Sequence, residues 1–213
     1  MIGKLLIARH HESEWNKQGL WTGTRDVHLT PYGFDKSGEM GLLIKDIRID
    51  NAFASMQVRS IETLSCMLSA LELFDVPVEH VAALNERDYG DYTGKDKWEM
   101  EKLVGKETFE LMRRGWDYPI PNGETLEMVY NRVVPFYKDA VLPLLLAGRN
   151  VLIVSHGNAI RALMIYIEEV PHTNEAAEKE AMLFGGVVIY DVDQQGHKIS
   201  KDVRSVASDE INS

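Results

Sequence analysis

A single cysteine, Cys66, among 213 residues means that no disulfide can close within the chain, and a reducing compartment suits it. Cys66 lies inside a helical pattern, where a buried structural thiol is expected. Long apolar runs are also missing. The first ten residues hold a short hydrophobic stretch that ends in Arg9-His10, too short and too soon polar for the core of a secretion signal. No later stretch reaches membrane-spanning length. Together these absences predict an intracellular, cytoplasmic protein without a membrane partner. Basic residues are in deficit: 23 Lys and Arg stand against 33 Asp and Glu, for a formal net charge of −10. Nucleic acids and anionic membranes both demand basic faces, so neither is expected as a partner. Any anionic ligand must be held by a local basic cluster. No internal repeat, low-complexity tract or linker divides the chain, which reads as one domain over residues 1–213.

Apolar runs suited to buried parallel strands occur at Lys4–Ala8, Ala52–Ala54, Val78–Leu84, Asn150–Val154 and Val187–Tyr190. Helical patterns lie between them. Thr30-Pro31 reads as an N-cap with proline at the first helical position, leading through Phe34 toward Leu42, Leu43 and Ile47. Ile61, Leu64, Leu68 and Leu71 recur at helical spacing. A helix is predicted from Thr125 to about Leu146 despite Pro135 and Pro143, and another from Asn158 to Ile167. Strands alternating with helices predict an α/β fold, a wound and mostly parallel sheet with helices on both faces. The charged, aromatic stretch Lys95–Gly123 reads as two short helices and a proline-marked turn, a helical cap insertion over one side of the sheet.

Two predicted strands finish on histidine: LLIARH at His10 and VLIVSH at His156. One such histidine is more often a hydrogen-bonded structural residue. Two of them, with Arg9 in the first run and Arg59 in FASMQVRSIET, point to chemistry at one sheet edge, where α/β proteins bind ligands. Glu86, in ALNERDYG, follows a third strand end. This set suits phosphoryl transfer. A neutral imidazole nitrogen is a good nucleophile toward phosphorus when its other nitrogen is held by a hydrogen bond. Arginine forks orient phosphoryl oxygens, a second histidine donates to them, and a carboxyl group protonates the departing oxygen. A metal is not needed. Arginines beside the candidate ligands would repel a cation, and neither an HExxH-like spacing, a Walker-type glycine loop nor a GxSxG elbow is found.

The stretches ARHHESEWN, LWTGTRDVHLTPYG, ASMQVRSIET, ALNERDYGDYTGKDK, RRGWDYP and SHGNAIRAL resemble the histidine phosphatase superfamily. Within it they are closely similar to the 2,3-bisphosphoglycerate-dependent phosphoglycerate mutases, over nearly the whole chain. The resemblance implies that His10 is the phosphorylated histidine and Glu86 the general acid/base. It implies that Arg9, Arg59 and His156 surround the phosphoryl group, helped by Asn16 and the Gly157-Asn158 segment. Thr22, Gly23, Tyr89, Lys97, Arg113 and Arg114 would hold the glycerate carboxylate and the second phosphate. The implied activity is interconversion of 2- and 3-phosphoglycerate, primed by 2,3-bisphosphoglycerate, without metal, on small-molecule substrates.

The chain also departs from the family. Glycine is usual where His11 stands, histidine where Asp88 stands, and a more apolar pair where Thr24-Arg25 stands. His11 is expected to be a tolerated neighbour with its side chain turned away. The crossing from Arg114 to Gly123 is shorter than in many mutases, which leaves monomer and homodimer both open. The carboxylate clamp of Tyr89, Lys97, Arg113 and Arg114 favours a mutase over a phosphatase that uses the same His10 and Glu86. A catalytically inactive phospho-ligand-binding module, the third alternative, has only His11 and Asp88 in its support.

Overall fold

The computed structural model describes residues 2–179 and 185–206. Residues 1, 180–184 and 207–213, which the one-domain reading includes, lie outside the described residues. The chain order is β1 (Lys4–Arg9), α1 (Glu14–Lys17), α2 (Pro31–Leu42), β2 (Asn51–Ser55), α3 (Val58–Ala70) and β3 (Val78–Val81). Then come α4 (Lys97–Val104), α5 (Lys106–Arg114), α6 (Leu126–Phe136), α7 (Leu142–Leu146), β4 (Val151–Ser155), α8 (Gly157–Ile167), α9 (Asn174–Lys179), β5 (Gly186–Val192) and β6 (Lys198–Ser205). The sheet has the order β3-β2-β4-β1-β5-β6. The first four of these are parallel to one another, while β5 and β6 run antiparallel to their neighbours.

The central strands are apolar throughout because both faces are covered. Side chains alternate sides along a strand. Leu5, Ile7, Val151, Ile153 and Tyr190 therefore pack with Val129, Val133, Leu163 and Ile167 of α6 and α8. Leu6, Ala8, Leu152, Val154 and Ile189 pack with Met40, Leu64, Met67 and Leu68 of α2 and α3. Helices on both faces are thus observed as expected. Thr30 caps α2 by accepting from the Gly33 N–H at 3.0 Å, with Pro31 in the first turn, where its missing N–H removes no hydrogen bond. The Thr125–Leu146 helix passes both prolines by widening: α6 runs into a π-helical stretch at Tyr137–Val141 and then α7.

Three expectations need correction. The strand placed at Val78–Leu84 ends at Val81, lies exposed at the sheet edge, and continues as a 3-10 turn at Ala82–Leu84. Strand β6 was not anticipated, because KISKDVRS is exposed along almost its whole length and shows no apolar alternation. Cys66, on α3, is half-buried rather than buried, and its thiol pKa is raised by what burial it has. In the Lys95–Gly123 insertion, α4 and α5 are the two short helices. They enclose a separate small core of Trp21, Tyr89, Met100, Phe109 and Met112. No described helix is long and apolar enough to cross a membrane.

Candidate active site

The parallel pairing of β1 with β4 sets Arg9 opposite Ser155, so the next residue on each strand, His10 and His156, are neighbours. Their ring centroids are 4.9 Å apart. His10 Nδ1 lies 2.7 Å from the His11 carbonyl oxygen. A carbonyl only accepts, so Nδ1 carries the proton and Nε2 keeps its lone pair. Arg59 Nε donates to that Nε2 at 3.3 Å. Burial, then the charges of Arg59 and Arg9, hold His10 well below the ordinary histidine range, so the ring is neutral. His156 is held down in the same way, by burial and then by Arg59 and His10. Its Nε2 lies 2.6 Å from Ser55 Oγ, which already accepts from the Gln57 N–H. The Ser55 hydroxyl can donate to Nε2 and so leave the His156 proton on Nδ1, a buried atom without a protein partner among the described residues.

Arg59 stands in the first turn of α3 and is aimed by carbonyls: Nη1 donates to Arg25 O at 2.8 Å and Nη2 to Gly23 O at 3.0 Å. Gly23 has φ +52, and a Cβ there would come within 3.2 Å of the Tyr89 nitrogen, so glycine suits this turn. Gln57 joins the turn to the acid: its Nε2 donates to Gly23 O, and its Oε1 accepts from the Glu86 N–H at 2.7 Å. Glu86 Oε1 in turn accepts from the N–H groups of Arg87 at 2.8 Å and Asn158 at 3.2 Å. Arg132, from α6, holds the turn from beneath by donating to the carbonyls of Ala83, Asn85 and Glu86. Asn16 closes a capping box with Ser13, which occupies its Oδ1 and leaves its amide donors for the cleft.

Six cations line this one cleft: Arg9, Arg59, Lys97, Arg113, Arg114 and Arg161. Glu86 is the one carboxylate among the described lining residues. Desolvation on burial pushes Arg9 and Arg59 down to about 10, and Lys97, beside Arg113 and Arg9, to about 8. Lys97 opens α4, while Arg113 and Arg114 close α5, so the cap insertion delivers three of the six. Arg113 and Arg114 share Glu110 at 3.6 and 3.3 Å, and Arg87 ties the end of α5 down by donating to the carbonyls of Met112 and Arg113. Thr22 and Trp21 also line the cleft, and Thr22 Oγ1 and Trp21 Nε1 are buried without a protein partner among the described residues. Such a surface suits a compact polyanion.

A profile of the histidine phosphatase superfamily (branch 1) matches residues 5–201. The chain belongs to the histidine phosphatase superfamily. Among curated relatives, a protein of Parvibaculum lavamentivorans named 2,3-bisphosphoglycerate-dependent phosphoglycerate mutase is 36% identical, over 95% of this chain and 97% of that one. A protein of the same name from Cytophaga hutchinsonii is 42% identical over 78% of each. Among solved structures, a mycobacterial glucosyl-3-phosphoglycerate phosphatase superposes with a TM-score of 0.81 at 19% identity, over 96% of this chain and all of that one, which shows a shared fold.

All the residues singled out from the sequence line the histidine phosphatase cleft except His156, whose ring stacks obliquely behind His10. His11 faces away from it. Its ring meets Tyr32 at 5.5 Å and its Nδ1 accepts from the Glu12 N–H, and it is not among the described non-glycine residues with positive φ. The backbone at this position therefore does not require glycine. Asp88, two residues from Glu86, does not line the cleft and accepts from the Gly90 N–H at 2.8 Å. Sequence reasoning missed Gln57, Arg132, Trp21 and Arg161. The first three carry no signal in their local patterns. Arg161 had one, a lone charge inside the apolar helix GNAIRALMIYI, one turn beyond Gly157.

Proposed function

We propose that this protein is a phosphoglycerate mutase that interconverts 2- and 3-phosphoglycerate through phospho-His10, primed by 2,3-bisphosphoglycerate. The observation that carries this reading is the six-cation cleft facing a single carboxylate. Arg9 and Arg59, beside the histidines, are enough for one phosphoryl group. The further cations on α4 and α5 give a reason to bind a carboxylate and a second phosphate as well. The curated relatives' names support the same reading. The residues also fit the bisphosphate: Thr22 Oγ1, Trp21 Nε1 and His156 Nδ1 are buried donors that an anion would satisfy. When bound, 2,3-bisphosphoglycerate supplies the phosphoryl group that loads His10.

The geometry supports the following roles. The lone pair on His10 Nε2 forms the N–P bond as the ester P–O bond breaks. Arg9, Arg59, the Asn16 amide and His156 Nδ1–H neutralise the phosphoryl oxygens during transfer. Glu86, its Oε1 fixed by two backbone N–H groups, gives a proton to the departing oxygen and takes one from the incoming hydroxyl. Tyr89, Lys97, Arg113 and Arg114 keep the glycerate in place. We assign the enzyme to the cytoplasm, acting on small phosphoglycerates as a monomer or homodimer.

The test is incubation with radiolabelled 2,3-bisphosphoglycerate and detection of an acid-labile phosphoprotein. The wild type and His11→Gly should label, and His10→Ala should not. The label should then pass to 3-phosphoglycerate faster than to water. Label released only as inorganic phosphate would show a phosphatase, and the absence of label a binding module.

A further inference from the structure

Arg161 is 7% exposed, sits on α8 and lines the cleft, and nothing in the mechanism above uses it. Its Nη1 donates to Asn158 Oδ1 at 2.7 Å. A guanidinium has donors only, so this bond orients the Asn158 amide with its oxygen toward Arg161 and its nitrogen away. That nitrogen, Nδ2, donates to the Tyr89 hydroxyl at 2.8 Å. An amide NH₂ offers no lone pair, so the Tyr89 oxygen accepts here and its own proton must go elsewhere. The ring is pinned, with Trp21 at 4.4 Å on its edge and the Arg87 guanidinium 4.6 Å over its face. Tyr89 lines the cleft, so its O–H is placed to donate to a bound ligand.

We propose that Arg161 is a positioning residue that sets the direction of a donor chain, Arg161 to Asn158 to Tyr89 to ligand, and so selects phosphate esters with an anionic acceptor at their far end. Without a donor-only side chain at 161 the amide is free to turn over. Tyr89 would then donate to Asn158 Oδ1, and the ligand would lose that hydrogen bond. The inference rests on the mutase reading and adds to it a residue that acts through another.

The experiment measures calorimetric affinities for 3-phosphoglycerate and for inorganic phosphate in the wild type, Arg161→Met, Arg161→Lys, Tyr89→Phe and the Arg161→Met/Tyr89→Phe double variant. Arg161→Met should lose about tenfold or more in affinity for 3-phosphoglycerate, with a far smaller change for phosphate. Lysine is also donor-only, so Arg161→Lys should stay within about threefold of the wild type. The double variant should lose no more than either single one, because both break the same chain. If Arg161→Met does not fold, Arg161→Gln, which can both donate and accept, replaces it with the same expected loss. Additive losses in the double variant, or equal losses on both ligands that lysine does not rescue, would overturn the inference while leaving the mutase reading intact. A wild type that prefers 3-phosphoglycerate no more than phosphate would overturn the mutase reading, and this inference with it.

Discussion

Replacing Glu86 by glutamine separates proton transfer from everything else the residue does. Glu86 Oε1 accepts from Arg87 N and Asn158 N, and a glutamine carbonyl at the same place accepts from both. Gln57 and Arg132 hold the backbone of this turn and do not depend on the carboxylate. The fold should therefore survive. Binding should hold, because glutamine keeps both of these accepted hydrogen bonds and brings no charge that would repel an anion. What is lost is the transferable proton. General acid–base catalysis contributes about 10²–10⁴-fold, which at 1.36 kcal/mol per decade is about 2.7–5.4 kcal/mol of barrier. The assay is single-turnover transfer from 2,3-bisphosphoglycerate to His10, followed by quench. Glu86→Gln should slow it by that factor. The loss should be smaller with p-nitrophenyl phosphate, whose departing phenolate needs less protonation. Asp88→Asn should leave the chemical step unchanged, since Asp88 Oδ1 serves the Gly90 N–H outside the cleft. An effect below about threefold for Glu86→Gln, or a slower chemical step in Asp88→Asn, would refute the assignment.

Arg113→Ala with Arg114→Ala should remove two charge-assisted contacts worth about 1.5–3 kcal/mol each. Mutase turnover should therefore fall far more than hydrolysis of p-nitrophenyl phosphate, and equal losses on the two substrates would count against the clamp. Lys97 titrates at about 8 because burial and its cationic neighbours disfavour its charge. Deprotonation as pH rises through 8 should lower kcat/KM for 3-phosphoglycerate, and Lys97→Arg should carry the profile flat past that pH. A fall of the same size and midpoint in Lys97→Arg would assign it to another group. Burial pushes Glu168 up, but hydrogen bonds from Lys201, Tyr190 and Lys198 outweigh it and hold its carboxyl down to about 2. A carboxyl depressed in the folded state stabilises the fold above its unfolded pKa, and this contribution is lost as pH falls from about 4.5 through about 2. Discounted for its partial exposure, the contribution is about 1–2 kcal/mol. Glu168→Gln should lower stability by that amount at pH 7 in urea melts and flatten the acid limb, and an unchanged limb would show the cluster to be inert.

Local pattern and special residues by themselves determine much of this protein. Continuous apolar runs marked β1, β2 and β4, because a strand covered on both faces tolerates few polar side chains. Thr30-Pro31 marked the start of α2, since a cap and a donorless first turn are local demands. His10 and His156 were legible as the residues that end two strands. The resemblance supplied Lys97, Arg113 and Arg114, which the cap insertion carries far from them in sequence.

Only the tertiary structure decided how these residues meet. The β1–β4 register sets the two imidazoles side by side, and a slip of one residue would turn His156 to the other face. The His10 tautomer came from a partner that no local pattern names, the His11 carbonyl, and His156 found its own partner in the Ser55 hydroxyl of a different strand. Gln57 and Arg132 were hidden because their roles are hydrogen bonds across long sequence separations, from Gln57 to Gly23 and Glu86, and from Arg132 to the Glu86 turn, whereas Arg161 bonds one turn back to Asn158 and was marked only by its lone charge in an apolar helix. Strand β6 was hidden for the opposite reason, since an exposed edge is held by backbone pairing to β5 and leaves little trace in side-chain pattern. Residues two apart share a face on an extended segment, as Glu86 and Asp88 would, and it is the turn, with Asp88 closing on Gly90 and Glu86 facing the cleft, that separates them.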